Sequence, residues 1–244
     1  NRPLVELAHE DDVRRLDDSG RGRARGRLLN VRLRAATGEF RWFDIEASDL
    51  GRNRHIGGTL LTCHEVGARK LLEDTLTHEA THDGLTGLAN RTRFNERLHS
   101  LLVDGRPTRP FALMYLDLDH FKPVNDRFGH DAGDHLLRTV ADRLRQTVGD
   151  RGLVCRFGGD EFGILLDGPE GSDAARAATV ARQVLDAARR SVTVGATLCA
   201  VDASIGIALA DPSAPLSSAE QLVREADKAM YDAKQAGRGR FLVF

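Results

Sequence analysis

The chain has 244 residues, a formal net charge of −1 and 41% hydrophobic residues, enough for a sizeable core in one large or two modest domains. The balanced charge excludes a global electrostatic argument for nucleic-acid or anionic-membrane binding, so any positive charge that matters must be local. No apolar run reaches membrane-spanning length and no signal-peptide pattern opens the chain. Cys63, Cys155 and Cys199 lack Cys-x-x-Cys spacing and read as reduced thiols in a cytosolic setting, with no disulfide.

In chain order, the Arg-rich stretch from Arg21 to Arg34 is the clearest local charge excess and reads as a solvated loop and strand face. Gly26 to Ala36, Glu39 to Ala47 and Ile56 to Val66 are strand candidates, with a turn at Thr37-Gly38 and Trp42 as a packing residue. Gly67 to His82 is charged and free of proline, with Leu72, Leu76 and Ala80 at i, i+4 and i+8, the pattern of a connecting helix. Asn90 to Leu102 reads as helical. Phe111 to Asp117 is an apolar strand that runs into Asp117-Leu118-Asp119, where the i, i+2 spacing puts two carboxylates on one face. Asp131 to Val148 is a helix with Leu137, Val140, Leu144 and Val148 along one side. Leu153 to Phe157 and Phe162 to Leu166 are short strands joined through Gly158-Gly159-Asp160-Glu161, a hairpin. Ser172 or Asp173 caps a helix to about Ser191, Ala203 to Leu209 is a strand, and Ser217 to Ala236 is a final helix ending at Gly237.

A hairpin tip needs no acids, and Asp160 beside Glu161 repel each other unless a cation or proton compensates. Alone, such a tip reads equally well as a solvated turn. Asp117 shifts the balance: two strand ends that both carry carboxylates supply what a Mg²⁺ pair needs to hold a triphosphate, namely a few carboxylates beside phosphate oxygens and water. The residues point to a metal-dependent nucleotide enzyme.

The run Asp117-x-Asp119-x-Phe121-Lys122-x-x-Asn125-Asp126-x-Phe128-Gly129-His130-x-x-Gly133-Asp134, followed by Gly158-Gly159-Asp160-Glu161-Phe162, resembles the GGDEF-domain diguanylate cyclases. The likeness extends upstream through Asp83-Gly84-Leu85-Thr86-Gly87-Leu88-Ala89-Asn90-Arg91. Downstream it continues through Ser204-Ile205-Gly206-Ile207-Ala208 and Ala226-Asp227-Lys228-Ala229-Met230-Tyr231 to Arg238. It implies an α+β fold whose central antiparallel sheet is flanked by helices, like the palm of polymerases and adenylyl cyclases. The implied reaction condenses two GTP into cyclic di-GMP and two pyrophosphates, with Mg²⁺ as cofactor and Mn²⁺ as its substitute.

By resemblance, Asp117, the Leu118 carbonyl and Asp160 ligate metal, and Asp160 is also the proton acceptor. Glu161 assists with metal or hydroxyl, although strand alternation argues against both acids pointing inward. Lys122, in the loop after the acidic strand, puts positive charge on the phosphates, with the Phe121 and Lys122 amides as a cradle and Gly158 and Gly159 beside the substrate. Lys234 and Arg238, four residues apart on the last helical turn, contact phosphates. Asn125 and Asp134 read guanine, whose N1–H and N2–H₂ donors suit a carboxylate as adenine does not. His130 is a packed or loop-bracing residue.

One departure stands out. Many family members carry Arg-x-x-Asp ending five residues before the Gly-Gly pair, as an inhibitory product site; here those positions read Gly149-Asp150-Arg151-Gly152, which implies weak or absent feedback inhibition. Further upstream, His9-Glu10-Asp11-Asp12-Val13, Gly38-x-Phe40-Arg41-Trp42 and Gly57-Gly58-Thr59-Leu60-Leu61 resemble the C-terminal part of a PAS domain without its earlier strands and pocket helices. The expected organisation is a partial PAS-like domain over 1–66, a dimeric signalling helix over 67–82 and the cyclase over 83–244. Asn1 in place of Met suggests a piece of a longer protein, in which a sensor or membrane anchor would lie. Three readings follow. The first is an active homodimeric cyclase taking GTP, with no nucleic acid and no membrane contact by these residues. The second is a silent GTP-binding regulatory domain, and the third is the cyclase-like half of an enzyme that also degrades cyclic di-GMP. Intact Asp117, Lys122, Asp160 and Glu161 favour the first.

Overall fold

A computed structural model describes residues 4–14, 28–50, 55, 59–67, 76–194, 197–213 and 218–244. The chain divides into two compact units, Asn1–Thr77 and His78–Phe244. The expectations for Gly26, Ile56 to Gly58, Leu72, Ser217 and the basic run through Arg25 fall outside the described residues.

In the first unit a short helix α1 (Leu4–Leu7) precedes an antiparallel meander of β1 (Leu28–Arg34), β2 (Phe40–Asp49) and β3 (Thr59–Glu65). The Thr37-Gly38 turn is where the sequence puts it, with Gly38 at φ 91. A small core gathers Val31, Leu33 and Ile45 with Leu4, Ala8, Leu29 and Phe43 around it, while Leu60 and Leu61 of β3 are exposed. Asp12 is buried and accepts from the Arg32 backbone N–H at 3.0 Å and from its Nε at 2.8 Å, and the same guanidinium lies 5.2 Å from the centre of the half-buried Trp42 ring.

Residues 76–81 are helical, and the second unit begins within them at His78. It continues through α2 (Arg91–Ser100), a small hairpin of β4 (Leu102–Val103) and β5 (Arg106–Pro107), β6 (Phe111–Asp119), α3 (Phe121–Phe128), α4 (His130–Val148), β7 (Leu153–Gly158) and β8 (Glu161–Leu166). The chain then forms α5 (Ala174–Arg189), a hairpin of β9 (Val192–Val194) and β10 (Thr197–Cys199), β11 (Asp202–Ala210), α6 (Ala219–Gln235) and β12 (Phe241–Val243). The central sheet runs β12-β11-β6-β8-β7, antiparallel except for the β11–β12 pair. This is the α+β, palm-like fold expected.

Alternation along β6 builds the two layers. Ala112, Met114, Leu116 and Leu118 point into a core with Leu136, Leu137, Val140 and Leu144 of α4 and Val180 and Val184 of α5. Phe111, Leu113 and Tyr115 point the other way, against Phe94 and Leu98 of α2 and Leu222, Ala226 and Met230 of α6. Asp173 caps α5 and Ser218 caps α6, each accepting from a first-turn amide. The three cysteines are free thiols.

One correction affects the site: Lys122 does not sit in a loop. His120, at φ 60, turns the chain directly from β6 into α3, so Phe121 and Lys122 occupy the first helical turn. Pro123 hid this helix from the pattern, yet proline is tolerated in a first turn because the missing N–H has no intrahelical acceptor there.

Candidate active site

The alternation that fills the core also aims the acids. Asp117 and Asp119 continue the Phe111, Leu113, Tyr115 face beyond the apolar run, toward the last turn of α6. Lys234, on that last turn, puts Nζ 2.8 Å from Asp117 Oδ2; Arg238 lies beyond the end of α6, not on its last turn as expected, because the chain leaves the helix after Gln235, and its Nε is 3.8 Å from Asp119 Oδ1. Burial pushes the Asp117 carboxyl above its ordinary range; the Lys234 contact opposes that push, and the Asp160 and Asp119 charges add to it.

Asp119 has a different job from its neighbour. Its side chain is fully buried and accepts from Ser204 Oγ on β11 at 2.9 and 3.0 Å and from the Gly239 N–H at 3.0 Å. It pins the segment after α6 to the sheet and so fixes where Lys234 and Arg238 end up. Arg238 itself has φ 56, a strained value for a residue with a side chain, held in place by these bonds.

At the hairpin tip Gly158 and Gly159 have φ 136 and 54, and the Asp160 carbonyl accepts from the Leu118 N–H at 3.1 Å, which ties the tip to the acidic strand. A second tie comes from Arg156. Its Nε and Nη2 donate to the Gly159 carbonyl at 3.0 and 2.8 Å, and its Nη1 donates to both carboxylate oxygens of Asp83 at 3.0 and 3.1 Å. Asp83 also accepts from the Thr86 N–H and hydroxyl at 2.9 and 2.6 Å. Burial works against the Asp83 charge, but the Thr86 and Arg156 hydrogen bonds outweigh it and hold the carboxyl below its usual range.

An open pocket of about 210 Å³ brings Asp117, Leu118, Asp160, Lys122, Lys234 and Arg238 together. Glu161 stands apart. It pairs with Asp117 in the β6–β8 register, yet its carboxylate accepts from Tyr115 Oη at 3.1 Å and lies 3.7 Å from Arg91 Nη2, whose guanidinium covers the Phe157 ring at 4.5 Å. Burial, opposed by Arg91 and reinforced by the Glu161 charge, pushes the Tyr115 hydroxyl up to about 12.

The base-reading candidates lie on α3 and α4. Asn125 packs so closely on Gly133 that a Cβ there would overlap Asn125 Oδ1, and this oxygen is buried without a hydrogen-bond partner. Asp134, next along α4, is half-exposed with Arg138 Nη2 at 3.8 Å. His130 is exposed at the start of α4, which removes packing from the two roles anticipated for it, packing or loop bracing. Sequence reasoning missed Arg156, Tyr115, Arg91 and Ser204. Tyr115 carried a signal, being two residues before Asp117 on the same face, and Arg91 and Ser204 sit in the family-like runs, which gave them no role.

The pocket fits a hard divalent cation. Among the described residues no group of three His, Cys, Asp or Glu side chains converges as a self-sufficient metal cage. Two carboxylates and a backbone carbonyl at an open pocket are instead the partial oxygen set that Mg²⁺ shares with phosphates and water. The desolvated Asp117 beside Asp160 calls for positive charge.

The family model described as "Diguanylate cyclase, GGDEF domain" matches residues 80–240. Diguanylate cyclase TpbB of Pseudomonas aeruginosa is 41% identical over 167 residues, covering 68% of this chain and 38% of the relative. The bifunctional diguanylate cyclase/cyclic di-GMP phosphodiesterase MucR of the same organism is 39% identical over 166 residues, covering 68% of this chain and 24% of the relative. Among solved structures, the coiled coil and GGDEF domain of DgcB from Caulobacter crescentus in complex with c-di-GMP superposes with a TM-score of 0.63 at 30% identity, covering 72% of this chain and 92% of that one. The chain thus spans well under half the length of these curated relatives.

Proposed function

Because the chain belongs to the GGDEF diguanylate cyclase family, we propose that residues 83–244 condense two GTP molecules into cyclic di-GMP with release of two pyrophosphates. The observation that carries this reading is the convergence of Asp117, Asp160, Lys122, Lys234 and Arg238 on one open pocket. Asp117, the Leu118 carbonyl and Asp160 would hold Mg²⁺, or Mn²⁺ in its place. The bound ion supplies charge neutralisation on the triphosphate and a lowered pKa for the attacking hydroxyl.

Each 3′-oxygen forms a bond to the other nucleotide's α-phosphorus as the bond to pyrophosphate breaks, and Asp160 accepts the hydroxyl proton. Lys122, on the first turn of α3, and Arg238, on its strained turn, place fixed positive charge where the leaving pyrophosphate gains negative charge. The first-turn amides of α3 add unpaired N–H donors at the same edge. Asn125, whose buried oxygen lacks a partner, and the neighbouring Asp134 take the guanine edge. Glu161 is read here as bracing: bonded to Tyr115 and near Arg91, it supports the hairpin more than it ligates metal.

Two nucleotides in one product call for a homodimer, each subunit presenting one GTP. Residues 1–66 are read as the end of a PAS-like domain and 67–82 as the joining helix, in a cytoplasmic protein. No described helix is long and apolar enough to cross a membrane. Incubating the protein with GTP and Mg²⁺ tests the reading by chromatography. Cyclic di-GMP should form, and Asp160→Ala should lower its rate by about 10³-fold. Tight GTP binding without product would establish the silent regulatory reading instead.

A further inference from the structure

Lys234 is assigned to phosphate by resemblance, yet in this structure its ammonium sits on a carboxylate. Nζ lies 2.8 Å from Asp117 Oδ2, with the two side chains 25% and 14% exposed. Three carboxylates, Asp117, Asp119 and Asp160, crowd this strand end. Asp119 is already satisfied by Ser204 and Gly239, and Arg238 stands near it at 3.8 Å. Lys122 and Arg238 line the same pocket, but among the described residues it is Lys234 whose ammonium is in direct contact with Asp117. A lysine ammonium is compact, carries its charge on a flexible stem and can change partners without backbone movement.

We propose that Lys234 is a resident counter-ion that occupies the cation position on Asp117 until a metal–nucleotide complex arrives, and then transfers to a phosphate. Lys234 thereby makes metal and nucleotide bind as a pair. In the nucleotide-free protein a lone divalent cation must compete with the ammonium for Asp117 Oδ2. With a triphosphate present, Lys234 has a second anion within reach and yields the carboxylate. Each ligand then tightens the other by the same factor, as linkage requires. The chain avoids holding a bare metal in an open pocket, and the acids keep a fixed geometry while the site waits.

This inference rests on the cyclase reading, and the test separates the two. Free Mn²⁺ is followed by electron paramagnetic resonance while Mn²⁺ is titrated into the protein, first without nucleotide and then with α,β-methylene-GTP, which cannot release pyrophosphate. Wild-type protein should bind Mn²⁺ weakly alone. Lys234→Gln should bind it about tenfold more tightly without nucleotide, although it takes the GTP analogue more weakly. Lys234→Ala serves as a second neutral variant, and Lys234→Arg, which keeps the charge, should stay within about twofold of wild type. Asp117→Asn should abolish the gain. Unchanged or weaker nucleotide-free Mn²⁺ binding in both neutral variants overturns the proposal. A wild-type protein that binds no Mn²⁺ even with the analogue overturns the cyclase reading beneath it.

Discussion

Strand β7 runs between two glycine-bearing turns that behave in opposite ways. At its start, Arg151 folds back on the end of α4: Nε donates to the Val148 carbonyl at 3.1 Å, Nη1 to Gln183 Oε1 at 3.0 Å, and Nη2 to the Thr147 carbonyl. Gly152 beside it has φ 177, which any residue adopts, but a Cβ there would run into the Leu165 backbone carbonyl. At the other end, Gly158 and Gly159 have nothing within 4 Å of a would-be Cβ, and both take positive φ. The first glycine exists for want of room and the second pair for want of a side-chain-compatible conformation. A turn whose own arginine already commits three of its five N–H donors to α4 and Gln183 is braced from within, whereas an open tip leaves Asp160 facing the pocket.

The largest expected effect is at the closed turn. Gly152→Ala should cost about 3 kcal/mol, because a methyl pressed into a backbone carbonyl forces the β7–β8 pair apart. Urea midpoints measure it, and a neutral result would mean that the turn is not closed. Next comes Arg156→Gln, at about 2 kcal/mol, since it leaves Asp83 and the Gly159 carbonyl without their shared donor in a region where the two charged side chains are 10% and 19% exposed. The same contact sets a pH dependence. The Asp83 carboxyl is held below its ordinary value, so its stabilisation is present above the unfolded value of about 3.9 and is lost as pH falls through the depressed folded value. Wild-type stability should therefore drop on acidification through that window, and Asp83→Asn should flatten the drop. A third substitution, Gly159→Ala, meets no atoms and should cost only about 1 kcal/mol of backbone strain. Its catalytic loss should outrun that figure, because the strain is relieved by moving Asp160. Equal losses of activity and stability would argue that the tip merely folds.

How much of this was legible in the sequence follows from the range of each interaction. The apolar alternation of β6, the spacing of Leu137, Val140, Leu144 and Val148 on α4 and the glycine stop after α6 are local signals, and they positioned the sheet, the helices and the face that Asp117 occupies. Gly158-Gly159 marked the hairpin for the same reason. Three-residue strands such as β12 and β9 were invisible because so short a pairing has no periodicity of its own. The Asp83–Arg156 bridge spans 73 positions, and only the folded chain shows that the opening Asp-Gly-Leu-Thr turn braces the Gly158-Gly159 tip. Lys234 and Arg238 were assigned by resemblance, which names no partner within the chain: that Lys234 meets Asp117 depends on Asp119 drawing the segment after α6 onto the sheet.

The smallest expected effect is a null one, and it probes the closed turn from the ligand's side. If the proposed cyclase reaction runs, cyclic di-GMP added to it should give no sub-micromolar noncompetitive inhibition, only competition with GTP, as initial rates across a product and GTP matrix would show. The backbone explains why the missing Arg-x-x-Asp is not a matter of two side chains alone. An arginine at 149 would have to adopt φ 53, and an aspartate at 152 would drive its Cβ into Leu165. Arg151, the one guanidinium in that turn, is already bound to the carbonyls of Thr147 and Val148 and to Gln183, so a guanine would have to outcompete three intramolecular acceptors to claim it. Noncompetitive inhibition at low product would therefore mean that Arg151 releases α4, and Arg151→Ala would then abolish the inhibition while leaving turnover intact.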